Sequence, residues 1–386
     1  MIEASRASAL TRLSDFIPRA GLAYAQDRNR DLPRHHAVSG LSPYIRNRLL
    51  LEEEVAEAAL AVHGGQDAEK FLSEVYWRTY WKGWLELRPR IWSDYKTGLN
   101  AALNRTATEA GLRREWQAAC EGRTDIDAFD HWAQELASTG YLHNHARMWF
   151  ASIWIFTLRL PWELGADFFL RHLLDGDPAS NTLSWRWVGG LHTPGKTYLA
   201  TAENIAKNTN RRFAPAGLAT APFALRAPPV PAPGAAPMGD DWGRADKIAL
   251  LLHEDDLDAR WILSRITPIA TALAACPAGR SPLTVAPMVS HFTTAAVADA
   301  ATRLPPSQTF IDGDLAHDLA RWARTSGASE IVTPYAPTGP MADILHKVAR
   351  ALEPDGITLT RALRPYDADL WPHATHGFFR FRKAIS

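Results

Sequence analysis

DGDPASNTLSWRW, residues 175–187, sets two carboxylates around a glycine, follows them with Ser180 and Asn181, and ends on two indoles one residue apart. The Asp177–Pro178 step reads as a helix start, with an acid at the cap and proline at the first helical position. A capping acid and a ligand-holding acid are compatible roles, so the stretch predicts a helix whose N-terminal loop carries polar chemistry. The segments before it point the same way. Residues 51–63 (LEEEVAEAALAVH), 68–87 (AEKFLSEVYWRTYWKGWLEL), 129–160 and 164–174 repeat apolar side chains every three or four positions, and β-branched runs are scarce. This half reads as all-α.

Beyond residue 213 the composition changes. Residues 214–240, APAGLATAPFALRAPPVPAPGAAPMGD, are dominated by Ala and Pro and read as an extended, semi-rigid connector, rising roughly 3.1 Å per residue. After it, KIALLL (247–252), LTVAPM (283–288), QTFID (308–312), EIVTPY (330–335) and ITLTRAL (357–363) read as strands. Residues 259–275, 293–304, 315–326 and 341–353 read as helices between them. Strands alternating with helices predict a Rossmann-like parallel α/β domain of about five strands. No glycine-rich phosphate motif follows the first strand, where HEDDLD (253–258) stands instead, so a dinucleotide or P-loop site is not supported there. The predicted organisation is a two-domain α + α/β chain: a helical domain over 1–213, the connector over 214–240, and the α/β domain over 241–386.

Composition narrows the function. Lys+Arg and Asp+Glu both number 42, so no global field draws the chain to nucleic acid or anionic lipid, and DNA affinity would need a local basic patch. Lys207, Arg211 and Arg212 are candidates for one, although such runs are usually solvated. Two cysteines, Cys120 and Cys276, match no metal or cluster spacing; they suit a reducing cytoplasm and predict neither disulfide nor metal site. The N-terminus lacks an apolar export region, and no apolar run reaches membrane-spanning length. The 15 tryptophans, most of them before residue 245, are the unusual feature. Indoles are costly unless they pack, stack or carry charge.

Glu74, Trp77, Arg78 and Trp81 fall at i, i+3, i+4 and i+7, placing a carboxylate, a guanidinium and two indoles on one helix face. Alone, this is more often an amphipathic helix with a solvated Glu74–Arg78 bridge. Asn144, Arg147 and Met148 also share a face, and alone they read as a core methionine with polar neighbours. Together with 175–187, STGYLHNHARM (138–148) and LPWELGADFFLRHLL (160–174), these segments resemble the FAD-binding helical domain of the DNA photolyase/cryptochrome family. YAQDRN (24–29), VSGLSPYIR (38–46) and EVYWRTYW (74–81) extend the resemblance to residues 20–213.

The resemblance implies FAD, with the antenna chromophore unknown. Ser39, Leu41 and Ser42 would line its pyrophosphate with Tyr24 nearby. Arg78, Asn144, Arg147, Asp175 and Asp177 would touch the flavin, ribityl or adenosine parts, and Asn181 would lie beside flavin N5. Trp185 and Trp162 match the first two members of an electron relay. At the third position stands Glu109, with Trp116 or another indole as substitute. Glu74, Trp77, Asn144, Met148 and Trp187 match the pocket of cyclobutane pyrimidine dimer photolyases, where a carboxyl bonds the thymine edges and indoles cradle the flipped lesion. The chain departs from the family at Val38 and Gly40, which lack a hydroxyl and a guanidinium near the phosphates, and at Thr79, Trp81 and Thr182.

In the family the α/β antenna domain comes first. Here residues 247–259 resemble its opening strand and 357–385 its closing strand and following segment, which implies a circular permutation; the alternative is an unrelated α/β module. The implied activity is light-driven, FAD-dependent repair of cyclobutane dimers in UV-damaged DNA, single- or double-stranded, by a deoxyribodipyrimidine photolyase-like lyase in the cytoplasm. The alternative is a cryptochrome-type blue-light receptor that keeps FAD and the relay without repair, which the altered phosphate loop and neutral charge favour. A flavin-binding relic is the third reading.

Overall fold

The computed structural model describes residues 2–385. Among the described residues eleven α-helices precede the sheet: α1 (Arg6–Phe16), α2 (Leu22–Asp27), α3 (Ser42–Arg46), α4 (Glu52–Glu86), α5 (Arg90–Thr108), α6 (Ala110–Glu121), α7 (Asp127–Thr139), α8 (Asn144–Ser152), α9 (Trp162–His172), α10 (Pro178–Val188) and α11 (Ala202–Asn208). Asp177 caps α10, its carboxylate accepting the Ser180 N–H at 2.8 Å, and Pro178 opens the helix. A π turn over Ile153–Thr157 continues α8 and sets Trp154 into the core.

The second half holds five parallel strands, β1 (Ile248–His253), β2 (Ala270–Ala275), β3 (Ser307–Ile311), β4 (Glu330–Pro334) and β5 (Thr358–Ala362), ordered β3-β2-β1-β4-β5. Around them lie α12 (Arg260–Leu263), α13 (Pro287–Ala301), α14 (Leu315–Ser326), α15 (Pro340–Leu352), α16 (Pro365–Leu370) and α17 (Phe378–Ala384).

Two expectations are corrected here. LTVAPM forms no strand; its end runs into α13. The second strand instead lies in ATALAA, inside residues 259–275 expected to be helical. Five of its six residues are buried, and a fully buried parallel strand shows no alternation by which to tell it from a helix.

The connector carries no helix or strand. It is strapped to the helical half: Gly234 N–H donates to Leu87 O, Arg88 Nε donates to Pro231 O, and Ala219 N–H donates to Thr157 Oγ1. The hydrophobic cores cross the connector. Phe16, Tyr24, Tyr44 and Phe71 share a cluster with Leu250, Leu273 and Phe292, while Phe378 and Phe381 from the far C-terminal side join the helical core.

Charges also tie the halves together. Arg48, 3% exposed, bonds Asp256 at 2.8 Å and Asp367 at 2.6 Å, and Arg364 bonds Asp256 at 2.9 Å. Breaking one member of such a buried set leaves an unpaired charge and costs about 3–5 kcal/mol. No described helix is long and apolar enough to cross a membrane. Cys120 and Cys276 are free thiols.

Candidate active site

A cavity of about 630 Å³ opens where α2, α3, α4, α8, α9 and α10 converge. Its wall carries Tyr24, Ser39, Leu41, Ser42, Glu74, Trp77, Arg78, Asn144, Arg147, Met148, Asp175, Asp177, Asn181, Trp185 and Trp187. Of the site residues expected from the sequence, Trp162 alone lies outside this wall.

The floor is electrostatically built. Arg147 Nη2 donates to Asp175 Oδ2 at 3.0 Å and its Nε donates to Leu142 O at 3.0 Å, which fixes the guanidinium against the acid. Burial pushes the Asp175 carboxyl up, but Arg147 and Arg78 outweigh it and hold the group below the usual carboxylate range. At Asp177 burial again opposes ionisation, and Lys82, Arg78 and Arg46 outweigh it. Both acids are therefore anions at neutral pH. Arg46 Nε donates to Gly176 O at 2.8 Å while its Nη1 pairs with Asp255 at 2.6 Å, so the first strand's end in the α/β half buttresses the loop between the two acids.

Several buried polar atoms here have no partner among the described residues: Asp175 Oδ1, Arg78 Nη1, Ser180 Oγ and Trp185 Nε1, all on cavity-lining residues. Each costs about 1–3 kcal/mol unless something bonds it. An anion-and-cation floor with orphaned donors and acceptors fits a polar ligand with a flat apolar part, as FAD is. Asn181 Nδ2 donates to Ala166 O at 2.8 Å, leaving Oδ1 as its side-chain acceptor and a second N–H as a donor. At Val38–Ser42, where residue 40 lacks a side chain, Arg12 reaches over from α1. Its Nε donates to Ser39 O at 2.6 Å, and its Nη2 lies 2.7 Å from where a Cβ on Gly40 would sit. The guanidinium fills the space a longer residue at 40 would claim.

The mouth is aromatic. Phe378 stacks on one face of Trp77 with centroids 3.8 Å apart and planes 9° apart, which takes that face from any ligand, and Trp81 lies against the same indole at 5.1 Å. Trp187 is stacked against Tyr198 at 5.9 Å, and the Tyr198 hydroxyl bonds His145 Nε2 at 3.1 Å. The bridge between Glu74 and Arg78 does not form. Glu74 pairs instead with Arg28 of α2's C-cap, and both line the cavity. Trp81 is 7% exposed and packs with Trp77 and Tyr80.

Trp185 is clasped by Phe169 at 5.1 Å, Trp154 at 6.1 Å and Phe150 at 6.4 Å. Trp162 sits against Tyr95 at 5.8 Å, which stacks on Trp92 at 5.1 Å, and Arg186 lies over Trp162. Glu109 is an exposed helix-end residue paired with Arg105, not part of an aromatic path. Of the expected basic run, Arg212 is engaged by Asp31 at 2.9 Å and Phe213, while Lys207 and Arg211 are exposed. Arg28 stood within a quoted motif and was legible. Arg46 closes the quoted 38–46 segment and Phe379 lies in 357–385, but the contacts of Arg46 with Gly176 and Asp255 were not legible there; Arg12 carried no local sign, because its role comes from a contact across the chain.

Residues 71–217 match the model described as the FAD binding domain of DNA photolyase. That region is similar to the FAD-binding domain of photolyases. A deoxyribodipyrimidine photo-lyase of Streptomyces griseus is 35% identical over 158 residues, covering 41% of this chain and 33% of that protein. The enzyme of the same name from Vibrio cholerae is 28% identical over 205 residues, covering 49% of this chain and 40% of that protein. A bacterial class III photolyase structure from Agrobacterium tumefaciens aligns with 27% identity and a TM-score of 0.46, covering 54% of this chain and 44% of that one. The chain spans less than half the length of these relatives.

Proposed function

We propose that this chain binds FAD in the helical cavity and uses it for light-driven splitting of cyclobutane pyrimidine dimers in DNA. The observation that carries the reading is that the lesion-type residues and the cofactor-type residues line one cavity. FAD, when bound there, supplies the photoexcited electron donor. The chain's own residues do the rest. Asp175, Asp177, Arg78 and Arg147 hold a fixed charge pattern, and Asn181 offers its amide at the flavin ring. Glu74, kept in place by Arg28, accepts hydrogen bonds from the thymine edges. Trp77 and Trp187, each backed by another ring, offer faces of defined position on which an extruded base stacks for roughly 1–3 kcal/mol. Met148 and Asn144 shape the wall between them and exclude water. The overall chemistry cleaves two carbon–carbon bonds with no net redox change.

The order of the halves supports the permuted arrangement with boundaries at 213 and 240. After β5, the chain returns through α16 and α17 to pack on α4, and Gly83 of α4 lies close to Trp371. One observation favours the receptor reading: Phe378 takes a face of Trp77.

The two readings separate on illumination of reduced, FAD-loaded protein with a dimer-bearing oligonucleotide, following the return of thymine absorbance. Repair by the wild type and its loss in Glu74→Ala, with FAD still bound, supports the enzyme. No repair with flavin photoreduction intact supports the receptor.

A further inference from the structure

Phe379 is 85% exposed yet lies on the cavity wall; among the described residues it is the exposed large apolar side chain at that mouth. Its helix is not loose. Phe378 is stacked on Trp77, Phe381 is fully buried against Tyr80 at 5.5 Å, and Arg382 bonds Glu69 at 2.9 Å while lying over Tyr76 at 4.8 Å. Three anchors on one side fix the other side, which presents Phe379, Arg380 and Lys383 to solvent. Phe379 and Lys383 are one helical turn apart.

At the lip of the cavity α17 thus sets one fixed, solvated ring beside two cations. We propose that α17 is a DNA-reading element in which Phe379 inserts into the gap left in a duplex when the damaged bases swing into the cavity, with Arg380 and Lys383 on the flanking phosphates. This rests on the repair reading and adds the substrate form: double-stranded DNA. An extruded base leaves an unstacked hole, and apolar side chains that fill such holes offset the unstacking cost. Duplex DNA is chosen over a protein partner because the patch joins one ring to two cations that have no partner among the described residues rather than to a broader apolar face, and phosphates complement those cations.

The test compares full-length, FAD-loaded protein on a duplex carrying one thymine dimer, on the same dimer strand alone, and on undamaged duplex, with 2-aminopurine beside the lesion. Phe379→Ala is expected to weaken dimer-duplex binding at least tenfold and abolish the 2-aminopurine rise, while single-strand binding changes less than twofold. Phe379→Trp is expected to retain both. Arg380→Gln with Lys383→Gln is expected to lower the slope of log affinity against log salt by about 1.8. Phe379→Ala binding the duplex like wild type, with the wild type still preferring damaged DNA, overturns the insertion and leaves the patch as a protein-contacting face. Wild-type protein with no preference for damaged DNA overturns the repair reading and the insertion with it.

Discussion

Gly165 offers the sharpest probe of the cavity's inner wall. A Cβ there would lie 2.3 Å from Trp185 Cη2, 2.6 Å from its Cζ3 and 2.9 Å from Trp154 Cε2. Carbon atoms pack at 3.5 Å or more, so in Gly165→Ala the Trp185 ring must retreat by about 1.2 Å. Trp154 is fully buried and Phe169 and Phe150 close the other sides, so the open direction is the cavity itself. Overpacking of this kind costs about 1–3 kcal/mol. The displaced ring also takes volume from the ligand, and about 1.4 kcal/mol of that cost on binding is tenfold in affinity. Urea unfolding of the apo-protein and FAD titration by fluorescence quenching measure the two effects separately. The expected result is a lower urea midpoint and an FAD affinity down by about tenfold. Adding Trp185→Phe removes the crowded indole atoms and is expected to return part of the lost stability. A wild-type midpoint together with wild-type FAD affinity in Gly165→Ala refutes the packing.

Arg12→Ala is expected to weaken FAD several-fold while leaving riboflavin affinity unchanged, the outcome if the guanidinium over Gly40 faces the cofactor's phosphates; competition titrations of the two ligands check it. Trp92→Phe and Tyr95→Phe are expected to slow photoreduction of oxidised flavin without altering flavin binding, as followed by absorbance under steady illumination with a thiol donor; unchanged rates would remove the path beyond Trp162. Burial, with His35, His145 and Arg147 adding to it, pushes His143 down to about 3. Its unfolded form protonates near the usual value of about 6.5 while the folded form does not, so stability is lost as pH falls from there toward about 3. His172 and His192, both pushed down to about 4, chiefly by burial, act with the same sign. Urea midpoints are expected to fall steadily between pH 7 and 5, and less steeply in His143→Gln.

That these side chains would line one cavity was legible because their spacing is local. Asp175, Asp177, Asn181 and Trp185 lie within one cap and the helix it starts, and Asn144, Arg147 and Met148 share a face of another. What spacing fails to show is partnership across the chain. Glu74 finds Arg28 rather than its own helix neighbour, Arg12 reaches residue 40, and Arg46 joins Gly176 to Asp255. The misplaced second strand has a different cause. ATALAA is small, apolar and buried, so no periodicity separates strand from helix. The shared cores have a third, since Phe378 and Phe381 find their places only when the chain returns from the sheet to α4.

The central claim is that the N-terminal helices hold a folded flavin between Asp175, Arg147 and Trp185. Equilibrium dialysis of the full apo-chain against FAD, read by the flavin absorption of the retained protein, tests it most directly. The account predicts a single equivalent of tightly retained FAD, and an Asp175→Ala, Arg147→Ala variant that retains far less. A wild-type protein that stays colourless after reconstitution contradicts it.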